Sequence, residues 1–375
     1  MLGGRGRSCS GGGAWTHGSE ADWASGVVYA EGGCSGCLAS APKVGEMCMA
    51  ERFPWRGCRH LLPSAPLPWL LTVEAGHKAP TQVPQWCDTQ PTPCSTPHRG
   101  FSYVDLVEGL RDGHFYALKR ILCHDKEDRQ AALHEVKMHG LFDHPNILPL
   151  VDHCMVEKGA KHEAWLLLPY VKGGTLWSEV QALREKGTFM PEQRILHIFH
   201  GICQGLQAMH SKGYAHRDLK PTNVLLDEDD RPVLMDLGSM NQARIEVSSS
   251  RQAMAVQDWA AQRCTISYRA PELFTVPSQC VIDERTDIWS LGCVLYCMMF
   301  GEGPYDAIFQ KGDSVALAVQ NPITLPPTTR YSEALQRLLS SMMMVNPQER
   351  PSINEVLHQL EGLQPAPAGQ DTTQI

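Results

Sequence analysis

The stretch His216–Asn223, which reads HRDLKPTN, constrains this 375-residue chain more strongly than any other part of its sequence. It fits the pattern H-R-D-L-x-x-x-N at every fixed position. Thirteen residues after Asn223 the segment Asp236–Gly238 (DLG) begins, preceded by the apolar run Val233–Met235. A DLG tripeptide alone is a common turn. At this distance from the first motif, it indicates that the two segments contribute to one site.

The side chains of these two segments are those that phosphoryl transfer requires. Asp218 has the position of the carboxylate that accepts or orients the proton of a substrate hydroxyl. Asn223 and Asp236 have the positions of the groups that hold magnesium ions against the phosphates of ATP. Lys220, two residues after Asp218, is typical of enzymes that phosphorylate Ser and Thr hydroxyls. The predicted cofactors are therefore ATP and Mg²⁺.

A lysine and a glutamate further upstream complete the predicted site. Lys119 lies in the middle of the predicted strand Phe115–Leu122, where its ammonium can pair with the α and β phosphates. Glu135, in the predicted helix Arg129–Phe142, is the best candidate for its carboxylate partner. Each residue alone would be interpreted as an exposed charge. Together with the downstream motifs, they favour an ion pair.

Two further residues are interpreted as structural. Glu272 ends the tripeptide Ala270–Glu272 (APE), which closes the segment that Asp236 opens. Arg350, much later in the chain, is predicted to bury its guanidinium against Glu272.

The order of the predicted elements indicates an α+β protein with two lobes. Phe101–Leu110 alternates apolar and polar residues, and a turn joins it to the strand Phe115–Leu122. From about Ser178 onwards helical periods dominate. We therefore expect a small strand-rich lobe at residues 100–168 and a larger helical lobe at 172–363. Residues 364–375 are predicted to be a flexible tail.

Charge and hydropathy exclude several other classes. The net charge of −8 offers no basic field for nucleic acid. No run of about 20 apolar residues predicts a membrane-spanning helix. The cysteines after residue 100 are scattered singly among apolar residues, which is typical of reduced thiols in a cytosolic protein.

The first 99 residues are rich in Gly, Pro, Ser, Trp and Cys and show no sustained period, so we expect them to be disordered. They contain possible zinc ligands at Cys34, Cys37, Cys48, Cys58 and His60. One CxxC pair without a second is a weak signal, and a zinc module remains the less favoured alternative.

Beyond these motifs, the chain resembles the Numb-associated kinase family of serine/threonine protein kinases. The resemblance extends from about Gly100 to Ile375. The stretches that carry it are Gly109–Arg120, Tyr214–Asn223, Asp236–Gln242 and Asp258–Leu273. It implies the two-lobed protein kinase fold and phosphorylation of protein substrates.

The family resemblance also implies details of the nucleotide site and of the activation segment. The hinge against adenine is expected at residues 167–170, with Leu168 and Tyr170 among the cofactor-binding residues. The enlarged activation segment is expected to contain a helix at Ala253–Ala261. Hydroxyl groups available there for autophosphorylation belong to Thr265, Ser267 and Tyr268.

One departure from the family concerns the glycine loop that covers ATP. Members read G-E-G-G-F-S-Y-V, whereas this chain reads PHRGFSYV over Pro97–Val104, so Gly100 and Val104 remain as cofactor-binding candidates. Proline cannot donate a backbone N–H to the phosphates. Asp88–Thr96, directly upstream, offers no apolar strand, and the first strand is expected to be missing. The alternative function is therefore a catalytically impaired or pseudokinase-like scaffold.

A second departure concerns lipid anchoring. Family members attach to membranes by lipid anchors, and myristate requires glycine at position 2, where this chain has Leu2. We therefore expect no myristoylation. The expected location is cytoplasmic, with association to perinuclear or Golgi membranes implied by the resemblance alone.

Overall fold

The computed structural model describes residues 71–72, 102–109, 112–158, 161–327 and 330–363. All of these residues belong to one compact unit. Predictions that fall on residues 1–70, 73–101 and 364–375, including the zinc ligands, disorder, Gly100 and the tail, lie outside the described residues.

The small lobe is a five-stranded antiparallel sheet in the order β1-β2-β3-β5-β4. Its strands are β1 (Leu71–Thr72), β2 (Ser102–Gly109), β3 (Phe115–Cys123), β4 (Asp152–Lys158) and β5 (Lys161–Pro169). The turn between β2 and β3 contains Gly113 at a φ of 65°, a conformation that glycine adopts without steric cost. The register of β2 and β3 places Val104 opposite Lys119.

Strand β1 corrects one expectation from the sequence. Leu71 and Thr72 pair with Gly109 and Glu108 at the end of β2, so a first strand is not entirely missing. The partner of β2 does not come from the segment immediately before it, where the sequence places no strand. A strand can come from far upstream, since the ladder requires only backbone groups in the right place.

Helix α1 (Lys126–His139) packs against this sheet and begins at Lys126 rather than at the predicted Arg129. The side chain of Asp125 caps it by accepting a hydrogen bond from the backbone N–H of Asp128 at 2.8 Å. Glu127 and Asp128 place negative charge in the first turn, which favours the positive end of the helix dipole. The cap therefore fixes the start of the helix that carries Glu135.

The large lobe is built mainly from helices. They are α2 (Leu176–Glu185), α3 (Glu192–Ser211), α4 (Ser250–Arg263), α5 (Arg285–Phe300), α6 (Asp306–Gln310), α7 (Val315–Ala318), α8 (Glu333–Met342) and α9 (Ile353–Glu361). Its core surrounds α5, which includes the fully buried Trp289. Helix α3 buries apolar residues at helical spacing, among them Phe199 and Ile202. Within the described residues, no helix is both long and apolar enough to cross a membrane.

Three short two-stranded sheets position the loops between the lobes. They pair β6 (Tyr214–Ala215) with β9 (Asn241–Gln242), β7 (Val224–Leu226) with β8 (Pro232–Leu234), and β10 (Ile245–Val247) with β11 (Cys280–Ile282). The β7–β8 hairpin lies close to α3 at Gly201, where a Cβ atom would come within 2.6 Å of Pro232. The segment His216–Asn223 therefore lies between β6 and β7, and Asp236 follows β8.

The predicted structural pair of the large lobe is present. Arg350 donates two hydrogen bonds to Glu272, at 2.7 Å to Oε1 and 2.8 Å to Oε2. The Arg350 guanidinium also lies over the ring of Trp289, 5.1 Å from its centroid. This buried pair ties the end of the activation segment to the core.

Candidate active site

Lys119 is the point where three segments of the chain meet. Its Nζ lies 2.7 Å from Oε1 of Glu135 and 2.9 Å from Oδ1 of Asp236. Burial by itself would lower the pKa of Lys119, but the carboxylates of Asp236 and Glu135 outweigh it and raise that pKa. The Lys119 ammonium in turn holds the pKa of Asp236 well below its usual range. These directions keep Lys119 and Asp236 charged at neutral pH, and the predicted ion pair of Lys119 with Glu135 is present.

Asp236 adopts a backbone conformation that few non-glycine residues occupy. Its φ is 61° and its ψ is 69°, in the left-handed region where such residues are uncommon and often functional. The neighbouring Met235 N–H donates to the carbonyl of Asn223 at 3.0 Å. The Asp236 side chain remains 42% exposed, so its carboxylate is accessible to a ligand.

The Asp218 carboxylate is surrounded by hydrogen-bond donors. Its Oδ1 accepts bonds from the backbone N–H and the hydroxyl of Thr265, at 2.8 and 2.6 Å. Its Oδ2 lies 2.9 Å from Nζ of Lys220 and 3.2 Å from Nδ2 of Asn223. The Asn223 NH₂ group also donates to the Asp218 carbonyl at 2.8 Å, which leaves the amide oxygen for a metal. The structure therefore joins Asp218, Lys220 and Asn223 as the sequence predicted.

Thr265 is a site residue that sequence reasoning did not assign. Besides contacting Asp218, its hydroxyl accepts a hydrogen bond from Lys220 at 2.7 Å. In this arrangement Thr265 is engaged by the catalytic loop, and Ser267 and Tyr268 are each only 7% exposed. Phosphorylation of these three hydroxyls therefore stays a prediction, and from this conformation it would require the segment to move.

The buried carboxylate of Asp287 accepts hydrogen bonds from the backbone of the loop that carries Asp218. The backbone N–H groups of His216 and Arg217 donate to its two oxygens, each at 2.8 Å. His210 lies 2.9 Å away through Nε2. Burial alone would raise the pKa of Asp287, but the hydrogen bond with His210 and the nearby positive charges lower it to about 2. Asp287 is thus an ionised anchor for the catalytic loop.

The Arg217 side chain contacts the activation segment. Its guanidinium donates to Oδ1 of Asn241 at 2.9 Å and to the carbonyls of Ala243 and Asp283 at 2.6 and 3.0 Å. The residue is only 3% exposed. Its φ of 68° places it, like Asp236, in the left-handed region. Neutral oxygens of the fold therefore satisfy this buried cation.

A cavity of about 630 Å³ lies between the sheet and the helical part of the chain. The predicted site residues that line it are Val104, Lys119, Glu135, Leu168, Lys220, Asn223 and Asp236. Asp218 lies next to it through its contacts with Lys220 and Asn223. Of the expected hinge residues 167–170, Leu168 and Pro169 line the cavity and Tyr170 does not, whereas Val171 directly after them does.

The walls of the cavity include apolar residues that sequence reasoning missed. Ala117 comes from the sheet, beside the predicted Leu168, and Leu148 and Leu225 come from the segments on the other side of the cavity. Ala117 could have been found, because it lies two residues before Lys119 and strand side chains alternate between faces. Leu148 and Leu225 carry no such signal, since only the tertiary fold brings them together. The apolar walls suit a flat ring such as adenine.

The oxygen donors beside the cavity fit a magnesium ion that is bound jointly by protein and phosphates better than one that is bound by protein side chains alone. Within the described ranges, no group of three or more His, Cys, Asp or Glu side chains could hold a metal ion. Asp236 and Asn223 instead offer two oxygen ligands beside the cavity. Magnesium in proteins is commonly bound by one or two such ligands plus substrate phosphates and water.

Comparisons with known proteins agree with this geometry. A sequence model of the family described as "Protein kinase domain" matches residues 100–360. Human "Serine/threonine-protein kinase 16" is 69% identical over 276 residues, which are 74% of this chain and 90% of that protein. The mouse protein of the same name is 68% identical over the same coverage. The Dictyostelium discoideum "Probable serine/threonine-protein kinase DDB_G0291350" is 31% identical, covering 70% of this chain and 90% of its own length.

Proposed function

Because the chain belongs to the protein kinase family and is a serine/threonine protein kinase, we propose that the residues around Lys119 and Asp218 carry out its reaction with magnesium as the metal. The reaction transfers the γ-phosphoryl group of ATP to a Ser or Thr hydroxyl of a protein substrate. The observation that carries the proposal is the convergence of Glu135 and Asp236 on the Lys119 ammonium beside a cavity with apolar walls.

Each charged residue has one role in this proposal. Lys119, oriented by Glu135, binds the α and β phosphates. Asp218 accepts or orients the proton of the acceptor hydroxyl, and Lys220 places positive charge beside the phosphoryl group in transfer. Asp236 and Asn223 hold magnesium, which neutralises charge on the phosphates when bound. The hinge backbone at Pro169 and Val171, which line the cavity, is the part that meets the adenine edge.

The test of the proposal is Asp218→Asn, assayed on a general Ser/Thr protein substrate with ATP and magnesium. We expect kcat to fall by about 100-fold or more, since general-base catalysis contributes roughly 10²–10⁴-fold. The fold should persist, because the amide keeps the shape of the carboxylate. Glu228→Gln, at a side chain 75% exposed, is the matched control and should retain full activity. Near-normal turnover by the Asp218 variant would refute the assigned role.

The location of the protein in the cell is part of the same proposal. The seven cysteines in the described residues are all free, and reduced thiols are usual where glutathione and thioredoxin act. We therefore place the enzyme in the cytoplasm. Fractionation of cells that express the tagged full chain is the measurement, and recovery of the protein from a secretory lumen would contradict it.

A further inference from the structure

Ser102, the first residue of β2, lines two cavities that meet at Lys119. One of them is the nucleotide cavity. The other has a volume of about 700 Å³ and extends along α1 to Arg263 at the end of α4. Lys119, Glu135 and Asp236 also line both cavities, and the reaction gives each of these three residues a role. It gives none to Ser102.

The pairing of β2 with β3 determines the face of the sheet on which Ser102 lies. Val104 is opposite Lys119, and Ser102 is opposite Ile121. Residues directly opposite each other in an antiparallel pair share a face of the sheet, and so do residues two positions apart along one strand. Ser102 therefore lies on the same face as Val104 and Lys119, roughly 7 Å along β2 from Val104.

The distance from the hinge places Ser102 near the phosphates rather than near the adenine. Ala117 pairs with Leu168 at the hinge, and both residues belong to the apolar walls of the nucleotide cavity. With adenine between these walls, the α and β phosphates reach Lys119, two residues further along β3. Ser102 lies one strand repeat beyond Lys119, on the side away from the hinge. Its hydroxyl therefore faces the phosphates that follow the α phosphate along the nucleotide.

A hydroxyl at this place supplies a donor that the preceding loop lacks. Of the glycines in the loop pattern only Gly100 remains, and Pro97 has no backbone N–H to donate. Ser102 is exposed, so a phosphate can reach its hydroxyl. Hydrogen bonds to charged groups are stronger than those between neutral groups. A bond from this hydroxyl would hold the phosphate chain against the Lys119 ammonium and prevent it from turning into the second cavity.

We propose that Ser102 is a nucleotide-binding residue whose side-chain hydroxyl donates a hydrogen bond to the phosphates of ATP beyond the α phosphate. A side chain of β2 thereby replaces part of the binding that backbone N–H groups of a glycine loop provide. The inference rests on the proposed function, because it requires ATP to lie with its phosphates at Lys119. Its effect should depend on the phosphates of the nucleotide and not on the adenine.

The experiment compares the full chain with Ser102→Ala, which removes the hydroxyl, and Ser102→Thr, which keeps it and suits a strand. The two probes, titrated at equilibrium, are adenosine and ATP with magnesium. We expect the alanine variant to bind ATP at least about tenfold more weakly than the unaltered chain, since a hydrogen bond to a charged group contributes that much. Its affinity for adenosine should change less than about twofold. The threonine variant should bind ATP within a few fold of the unaltered chain.

A remote control and the comparison of the two probes separate phosphate binding from stability of the sheet. Ser278→Ala, at an exposed residue before β11, should bind both probes as the unaltered chain does. Unchanged ATP affinity in Ser102→Ala, or equal losses in the alanine and threonine variants, would overturn the inference. So would equal losses for adenosine and ATP, since Ser102 would then serve the shape of the sheet. An unaltered chain that binds neither probe and transfers no phosphate would instead contradict the proposed function.

Discussion

At the scale of single residues, the Thr265 hydroxyl joins the two charged groups of the catalytic loop. It donates to Asp218 at 2.6 Å and accepts from Lys220 at 2.7 Å. Thr265 therefore orients both the carboxylate and the ammonium before a substrate arrives. This role was not predictable from the sequence, because Thr265 follows Asp218 after a long segment whose path depends on α4 and β10.

Replacing Thr265 should affect turnover through this hydroxyl. We predict that Thr265→Val lowers kcat about tenfold, because two charged groups lose a shared hydrogen-bond partner and positioning of reactive groups is worth at least that much. Thr265→Ser keeps the hydroxyl and should remain near the original kcat. Steady-state kinetics of both variants is the measurement. Equal activity of the valine and serine variants would show that the hydroxyl plays no part.

The Asp287 carboxylate gives a prediction about pH. Its pKa in the folded chain is about 2, below the ordinary value of about 3.9 for an unfolded chain. A lowered folded pKa adds stability above the unfolded pKa, and that stability is lost as the pH falls through the folded pKa. We predict that Asp287→Asn is destabilised at pH 7 by about 2 kcal/mol or more, and that the difference from the original chain shrinks between about pH 4 and pH 2. Denaturant unfolding at several pH values measures this, and a constant difference would contradict it.

At the scale of elements, the activation segment combines a helix with a small sheet. Helix α4 confirms the expected helix at Ala253–Ala261 and extends it to Ser250–Arg263. The pairing of β10 with β11 was not predicted. Strands of three residues carry too little periodicity to detect, and their register comes from tertiary contacts rather than from local sequence.

The bonds of Arg217 predict how this segment responds to phosphorylation. Its guanidinium binds Asn241 and the carbonyls of Ala243 and Asp283. Because these oxygens already satisfy the buried positive charge, no phosphate group is needed to pair with Arg217 or to order the activation segment. We predict that protein treated with phosphatase, and shown by mass spectrometry to lack phosphate on residues 236–272, keeps most of its kcat. A loss of about tenfold or more, restored on rephosphorylation, would contradict this prediction.

The nucleotide site shows what sequence reasoning can and cannot reach at this scale. Lys119, Asp218, Asn223 and Asp236 were found because motifs fix them at constant spacing. The sequence did not predict that Val171, rather than Tyr170, lines the cavity at the hinge. The face on which a side chain lies after a strand depends on the residue at which the strand ends. Here β5 ends at Pro169.

At the scale of the whole molecule, the two-lobed architecture was predictable because strand periods precede helical periods along the chain. The pairing of β1 with β2 was not predictable, since β1 lies far upstream of β2 in the sequence. Within the described residues, β1 pairs only with Glu108 and Gly109 of β2. The position of β1 at the edge of the sheet is thus the part of the fold that the sequence predicts least well.

The sequence before β2 predicts weak binding of ATP. Only Gly100 remains of the three glycines of the loop pattern, and fewer backbone N–H groups can then converge on the phosphates. We predict that the chain binds Mg-ATP at least about tenfold more weakly than a variant whose residues 89–100 are replaced by a family-like strand and glycine loop. Calorimetric titration of both proteins is the measurement. Equal affinities would show that the present residues already supply such a cover.

The buried contacts of Arg217 also bear on how such an enzyme can be controlled. Its hydrogen-bond partners belong to the same network that holds the activation segment in the fold, so an inactive arrangement would have to break several buried bonds at once. Such a state would be rarely populated, and only a ligand with a strong preference for it could shift the equilibrium. We therefore expect that an activating ligand or modification raises the phosphorylation rate of this enzyme only slightly above its basal rate.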